Sequence, residues 1–352
     1  MTTGTASGRA RLRGRMDAAV RTLHPGYFAF VMATGIISIG TFLLGPSWLS
    51  LALLVAASAG LIVLAAALTA RVSRFRSAVV ADINAPERVF GFFTITAGLD
   101  VLGVRLALAG HPLLTAIAAG LAATAWLVLT YGVPASLMLF RAHESALSGV
   151  NGSWLLWVVA TQSLAVVAAT LLPIWRSQAT LLATAAVSLW SVGLVLYLVL
   201  VSLMMLRWLT VPMTPAALGP PYWILMGATA ITVLAGAKNL ALPGTLPIVR
   251  ATAAFIEGSS FALWAFGTWW IPLLVVLGLW RHVRRQWPLS YEPTLWSIVF
   301  PLGMYSVATL TFGAASHLNF MEPLARFMLW VAVGAWALVA AAFGIRLARA
   351  WR

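Results

Sequence analysis

Residues 26–44 read Gly-Tyr-Phe-Ala-Phe-Val-Met-Ala-Thr-Gly-Ile-Ile-Ser-Ile-Gly-Thr-Phe-Leu-Leu, an apolar run with no charged residue. Roughly 20 such residues span about 30 Å of hydrocarbon as a helix, so this stretch predicts a membrane crossing. Nine more runs of the same kind follow, at about 48–70, 90–108, 113–131, 154–172, 180–206, 223–240, 251–283, 296–313 and 324–347. Lipid offers no partner for backbone N–H and C=O groups, and helices satisfy these groups internally. The expected fold is therefore an all-α integral membrane protein with ten transmembrane helices. The run 251–283 is long enough to tilt or to project from the bilayer.

Composition agrees. Hydrophobic residues make up 62% of the 352 and charged residues only 9%, too few for a water-soluble surface of ordinary charge density. Turns are short apart from 71–88 and 141–153, and no Gly/Ser-rich linker divides the chain, so residues 24–352 are expected to form one membrane domain. Residues 1–23 are Arg-rich and lack an apolar core, which predicts a basic cytoplasmic segment rather than a cleavable signal peptide. This leader is either an amphipathic helix lying on anionic lipid or a disordered topogenic tail.

The basic residues orient the spans. With ten crossings, the termini and even-numbered turns share one side and hold seventeen arginines, whereas five Arg or Lys residues (Arg105, Arg176, Lys238, Arg250 and Arg326) fall on the other side or at its edge. This asymmetry predicts both termini in the cytoplasm, with the chain in the cell membrane. It also explains the net charge of +14 as loop bias, so no nucleic-acid partner is expected.

Polarity alternates along the chain. Odd-numbered spans carry polar or small residues through their middles: Thr34, Gly35 and Ser38; Thr94, Thr96 and Gly98; Thr161, Gln162 and Ser163; Gly227, Thr229 and Thr232; Gly303, Ser306 and Thr309. Five hairpins with one member lining an aqueous path and the other facing lipid would give this pattern. Small residues that merely permit close helix packing would give it too, and the residues alone leave both readings open.

Three segments resemble a known family. His24-Pro-Gly-Tyr-Phe-Ala-Phe-Val-Met-Ala-Thr-Gly-Ile-Ile-Ser38, Asn151-Gly-Ser-Trp-Leu-Leu-Trp-Val-Val-Ala-Thr-Gln-Ser163 and Trp296-Ser-Ile-Val-Phe-Pro-Leu-Gly303 are similar to the tellurite-resistance/C4-dicarboxylate transporter family, which includes plant slow anion channels and fungal malate and sulfite transporters. The resemblance implies five helical hairpins in quasi-fivefold arrangement around a central pore, and often a homotrimer with one pore per subunit. It implies passage of small inorganic or organic anions behind a phenylalanine gate, and the Phe-Pro pair of the ninth span puts that gate at Phe300 and Pro301. An aromatic ring can plug and dewet a narrow pore, and a proline beside it removes one backbone donor and allows a bend. The pore-lining candidates are Thr34, Gly35, Ser38, Thr96, Thr161, Gln162, Gly227, Thr229, Gly303 and Ser306 of the odd spans, with Phe28 and Phe93 beside them. A proton-coupled malate carrier and a sulfite or tellurite exporter are the alternatives within the same fold.

Few residues offer other chemistry. Asp100 and Arg105, five apart, do not share a helix face; Asp100 is either structurally paired or, if it faces the pore, a proton-coupling group. The five histidines are scattered at span ends and turns without metal-ligand spacing, cysteine is absent, and no G-x-x-x-x-G-K-[ST] run occurs. No enzyme, metal, cofactor or nucleotide-driven pump is expected.

Overall fold

The computed structural model describes residues 14–140 and 146–351. Within them lie ten apolar helices long enough to span a bilayer: α1 Pro25–Leu44, α2 Ser47–Arg74, α3 Pro86–Leu108, α4 Pro112–Leu139, α5 Gly152–Leu171, α6 Arg176–Thr210, α7 Pro220–Leu240, α8 Pro247–Arg284, α9 Pro293–Ala315 and α10 Met321–Arg349. The ten-helix, all-α expectation stands, and no strand occurs among the described residues.

Two boundaries differ from the sequence reading. Helix α4 continues past residue 131 to Leu139 with Pro134 inside it, since a proline removes one hydrogen bond without ending a helix that is otherwise supported. The turn after α2 contains a short helix, Arg76–Ile83. Most of the basic leader lies outside the described residues; its end, 14–21, is helical.

Burial separates the helices into two shells. Between 72 and 83% of the central residues of α1, α3, α5, α7 and α9 are buried, against 17 to 39% for the even-numbered helices. In every hairpin the outer member also has the higher mean hydropathy, as expected for the surface that meets acyl chains. The inner helices touch in the closed cycle α1–α3–α5–α7–α9–α1, and each outer helix packs on the inner helix of its own hairpin.

All five inner helices are led in by a 3₁₀ turn: Pro25–Phe28, Phe90–Phe92, Gly152–Leu155, Pro220–Trp223 and Pro293–Leu295. Proline suits these starts because the missing N–H would lack an intrahelical partner anyway. The five turns form a second closed cycle of contacts. It is tight: a Cβ on Gly152 would strike the Pro221 carbonyl, and one on Gly91 would press on the backbone of Gly26.

Beside this ring an ion cluster, with Arg71 and Asp82 buried and Arg88 partly exposed, fixes the α2–α3 connection. Asp82 pairs with Arg71 at 2.6 Å and with Arg88 at 3.0 Å, and Arg71 Nε also donates to the Arg21 carbonyl at 3.1 Å. His24 completes the corner, its Nδ1 accepting the Gly26 N–H at 3.0 Å. Burial first, and the neighbouring Arg88 second, push its pKa from 6.5 to about 4, with Asp82 opposing.

Because the folded pKa is depressed, His24 favours the folded state fully above 6.5, and this contribution drains away as pH falls from 6.5 toward 4. Thermal unfolding in detergent should therefore show a falling Tm across that window. His24→Asn, which keeps a capping acceptor but does not titrate, should fall less steeply; identical slopes would refute the assignment.

Candidate ion pathway

The parallel inner helices enclose a cavity of about 260 Å³ in the half of the protein where they end. Its walls are Ile36, Ile39 and Leu43 from α1, Asp100, Val101, Val104 and Leu108 from α3, Ser163 and Val166 from α5, Ile231, Leu234 and Lys238 from α7, and Met304, Val307, Leu310, Thr311 and Ala314 from α9. All five inner helices contribute and no outer helix does, so the cavity is axial. A larger cavity of about 770 Å³ lies off this axis, between α7, α8, α9, α10 and loop 287–292, and α1, α3 and α5 have no part in it.

Helical spacing shows what lies below the chamber. Met304, Val307 and Thr311 share one face of α9, and Phe300 stands one turn earlier on that face. Likewise Phe93 precedes Asp100 by two turns on α3, and Met32 precedes Ile36 by one turn on α1. Phe300, Phe93 and Met32 are all completely buried, so the axial faces are occluded on the side where the inner helices begin. Phe93 packs against Phe90 and Trp157, at centroid distances of 6.1 and 6.2 Å, and those two rings also touch each other at 6.4 Å. Phe28 is buried in the first 3₁₀ turn. Pro301 packs against Gly227, where a Cβ would meet its ring, which brings α9 and α7 close beside Phe300.

Several hydroxyls of the inner helices serve the junction with the outer shell. Trp336 of α10 donates to Thr34 at 3.0 Å, Trp126 of α4 to Thr161 at 2.9 Å, and Trp264 of α8 to Thr309 at 3.0 Å. Trp190 of α6 repeats the pattern toward the Thr232 carbonyl at 3.1 Å. Gln162 donates to the Trp190 carbonyl at 3.0 Å, in the space left by Gly193. Ser306 donates to the Ala325 carbonyl at 2.7 Å, and Thr229 lies against Gly267 of α8 while donating to the Met226 carbonyl. Thr96 is buried with no hydroxyl partner among the described residues. Gly35 and Gly303 sit at the α1–α3 and α9–α1 contacts, their missing side chains replaced by Val101 and by Ile36 and Ile37.

Charged groups at depth fall into two sets. Arg105 is directed between α1 and α2: its Nε donates to Ser38 at 3.1 Å, its Nη2 to Ser50 at 2.9 Å, and its guanidinium lies 4.5 Å from the Phe42 ring centre. Asp100 and Lys238 instead line the chamber. Asp100 Oδ2 accepts the Ser163 hydroxyl at 2.6 Å. Of the sequence candidates, Asp100 is the one among the cavity walls; Ser163, Thr311 and Lys238, which complete its polar lining, were not among the site candidates. Ser163 adjoins two that were, but its face is decided by the α3–α5 packing.

Comparison with known proteins agrees with this architecture. A family model described as voltage-dependent anion channel matches residues 22–343. An uncharacterised membrane protein of Mycobacterium tuberculosis is 48% identical over 143 residues, 41% of this chain and 72% of that protein. An uncharacterised transporter of Methanocaldococcus jannaschii is 23% identical over 332 residues, 91% of this chain and 92% of the relative. A second uncharacterised transporter of that organism is 24% identical over 175 residues, about half of each chain.

Thr161→Val keeps side-chain shape and strands the Trp126 N–H. Interhelical bonds of this kind are worth about 0.6 kcal/mol on average and up to about 1.7 in membranes. Tm should drop by a few degrees while anion selectivity stays unchanged; altered selectivity with unaltered Tm would instead place Thr161 on the pathway.

Proposed function

The chain belongs to the voltage-dependent anion channel family, and we propose that it passes small anions along the axis of its five inner helices, behind a plug formed by Phe300. One observation carries this reading. The chamber is walled by all five inner helices and no outer one, and the α9 face that lines it continues directly to the buried Phe300 ring. The circular order of contacts supports a quasi-fivefold barrel of hairpins around that axis.

The physical basis is the alignment of the helices. Their N-termini converge in the ring of 3₁₀ turns, so the partial positive charges of five dipoles gather at one mouth and attract anions. At the other mouth Lys238, in the last turn of α7, offsets the negative ends of the same helices. Between them the axial faces are mostly apolar, which keeps binding weak and favours passage over capture. In the orientation set by the arginine count, the 3₁₀ ring faces the cytoplasm of a cell-membrane protein, and the unit is a homotrimer with one pathway per subunit.

A coupled carrier for malate, sulfite or tellurite is the second reading, favoured by the position of Asp100 in the chamber wall. Flux that persists without a proton gradient excludes coupling.

Phe300→Ala in proteoliposomes should raise anion flux about tenfold or more, the equivalent of about 1.4 kcal/mol of barrier. Unchanged flux through a correctly folded variant would remove Phe300 from the gate.

A further inference from the structure

The larger cavity beside the axis is a cleft in the outer shell. Helices α8 and α10 pack on α7 and α9 rather than on each other, and between them the starts of α7 and α9 form a back wall at Tyr222 and Ile298. The rims carry exposed apolar side chains, Leu279 and Val283 on α8 and Leu338 on α10, so the cleft opens sideways, where acyl chains lie. From Leu274 to Val283 it follows α8 for about 13 Å at 1.5 Å per residue, close to the depth of one leaflet in a hydrocarbon core about 30 Å thick. Its volume of about 770 Å³ falls in the range of ligand sites, roughly 300–1,000 Å³. Helical spacing puts Leu274, Gly278, Arg281 and His282 on one face of α8, and Gly278 leaves an open place in that face: a Cβ there would meet no atom within 4 Å.

The polar groups gather at one end. The Trp287 N–H donates to the Arg281 carbonyl at 3.1 Å and His282 Nδ1 donates to the Trp287 carbonyl at 3.0 Å, which latches loop 287–292 to the end of α8. Arg346 of α10 holds the other end of the loop through the Tyr291 carbonyl at 2.8 Å. The Arg281 head lies between two residues of the cleft wall, 5.4 Å from the Trp287 ring centre and 3.8 Å, from Nη2, to Glu292 Oε1. That ion pair is too long for a hydrogen bond. Neither Nη finds an acceptor among the described residues; Nε is sealed off, but both Nη atoms keep accessible surface.

A guanidinium with unused terminal donors, set at the polar end of an apolar cleft, offers both halves of a phospholipid site. Its planar fork matches two oxygens of a phosphodiester, and the apolar walls match a hydrocarbon chain. Arg284 and Arg285 follow on the same helix end, so positive charge outweighs the Glu292 carboxylate and favours an anionic headgroup over a zwitterionic one. A second copy of the chain is a poorer occupant: with 8 acidic residues against 22 Lys and Arg, it has few carboxylates to bring to Arg281.

We infer that the cleft binds one anionic glycerophospholipid of the leaflet that meets the 3₁₀ ring, with an acyl chain along α8 past Gly278 and the phosphate on the Arg281 Nη atoms. The site is separate from the axial pathway and does not depend on the plug.

Native mass spectrometry of the detergent-purified full chain, offered dioleoylphosphatidylglycerol and dioleoylphosphatidylcholine in equal amounts, tests it. The parent should retain one phosphatidylglycerol per chain and prefer it by roughly tenfold, the scale of one hydrogen bond to a charged group. Arg281→Gln should level the two lipids. Gly278→Leu, which fills the open place without a clash and improves helix propensity, should lose the retained lipid without lowering Tm in lipid-free detergent. Replacing Arg284 and Arg285 together by Gln should keep the preference, since neither lines the cleft. If Arg281→Gln does not fold, these last two variants decide.

Equal retention of the two lipids by the parent, or undiminished retention in Gly278→Leu, overturns the inference. So does a preference that survives Arg281→Gln or disappears with Arg284 and Arg285, which would make it a diffuse effect of surface charge. Oligomers that come apart in Gly278→Leu, with no lipid retained by the parent, would make the cleft a contact between copies and overturn it as well.

Discussion

A polar side chain inside hydrocarbon can bond only to other protein groups, and that constraint organises this molecule from its helix pairing to its chamber. The threonines of the inner shell meet indole N–H groups of the outer shell in α4, α8 and α10, and α6 makes the equivalent bond to a backbone carbonyl. Each bond is modest alone. Repeated around the structure, they fix which face of α1, α5, α7 and α9 looks outward, and so leave mostly apolar faces toward the axis.

This arrangement explains how much was legible beforehand. Ten crossings, their pairing and the polar inner members followed from run length and from the alternation of residues such as Thr34, Thr161 and Thr309. A threonine that lines a path and a threonine that holds a neighbouring helix have the same composition signature, however. The decision between them rests on the rotation of each helix about its own axis, and tertiary packing sets that rotation. The notches at Gly35, Gly227 and Gly303 belong to the same ambiguity, with Val101, Pro301, Ile36 and Ile37 filling the space. Lys238 was read as an edge charge near the end of its span, and its membership of the chamber wall depends on how the last turn of α7 faces α3 and α9.

Charge placement gives the proposed pathway its character. One mouth is lined by helix starts, the other by helix ends offset by Lys238, and a single acidic group sits between them at the floor. Arg105, equally buried, is kept out of this sequence of charges by the serines of α1 and α2, where it holds three helices together. The Arg71–Asp82–Arg88 cluster likewise anchors the frame from the periphery. Structural charges are thus sequestered between helices, and the chamber wall retains two.

The chain contains no cysteine, so single cysteines can be placed on α9 without background. The most direct measurement is the reactivity of Met304→Cys, Val307→Cys and Thr311→Cys toward an anionic thiol reagent applied from the side where the inner helices end, compared with Ser306→Cys and Thr309→Cys. An axial aqueous chamber predicts rapid modification at 304, 307 and 311 and protection at 306 and 309. The reverse pattern, or uniform reactivity around the helix, would contradict it.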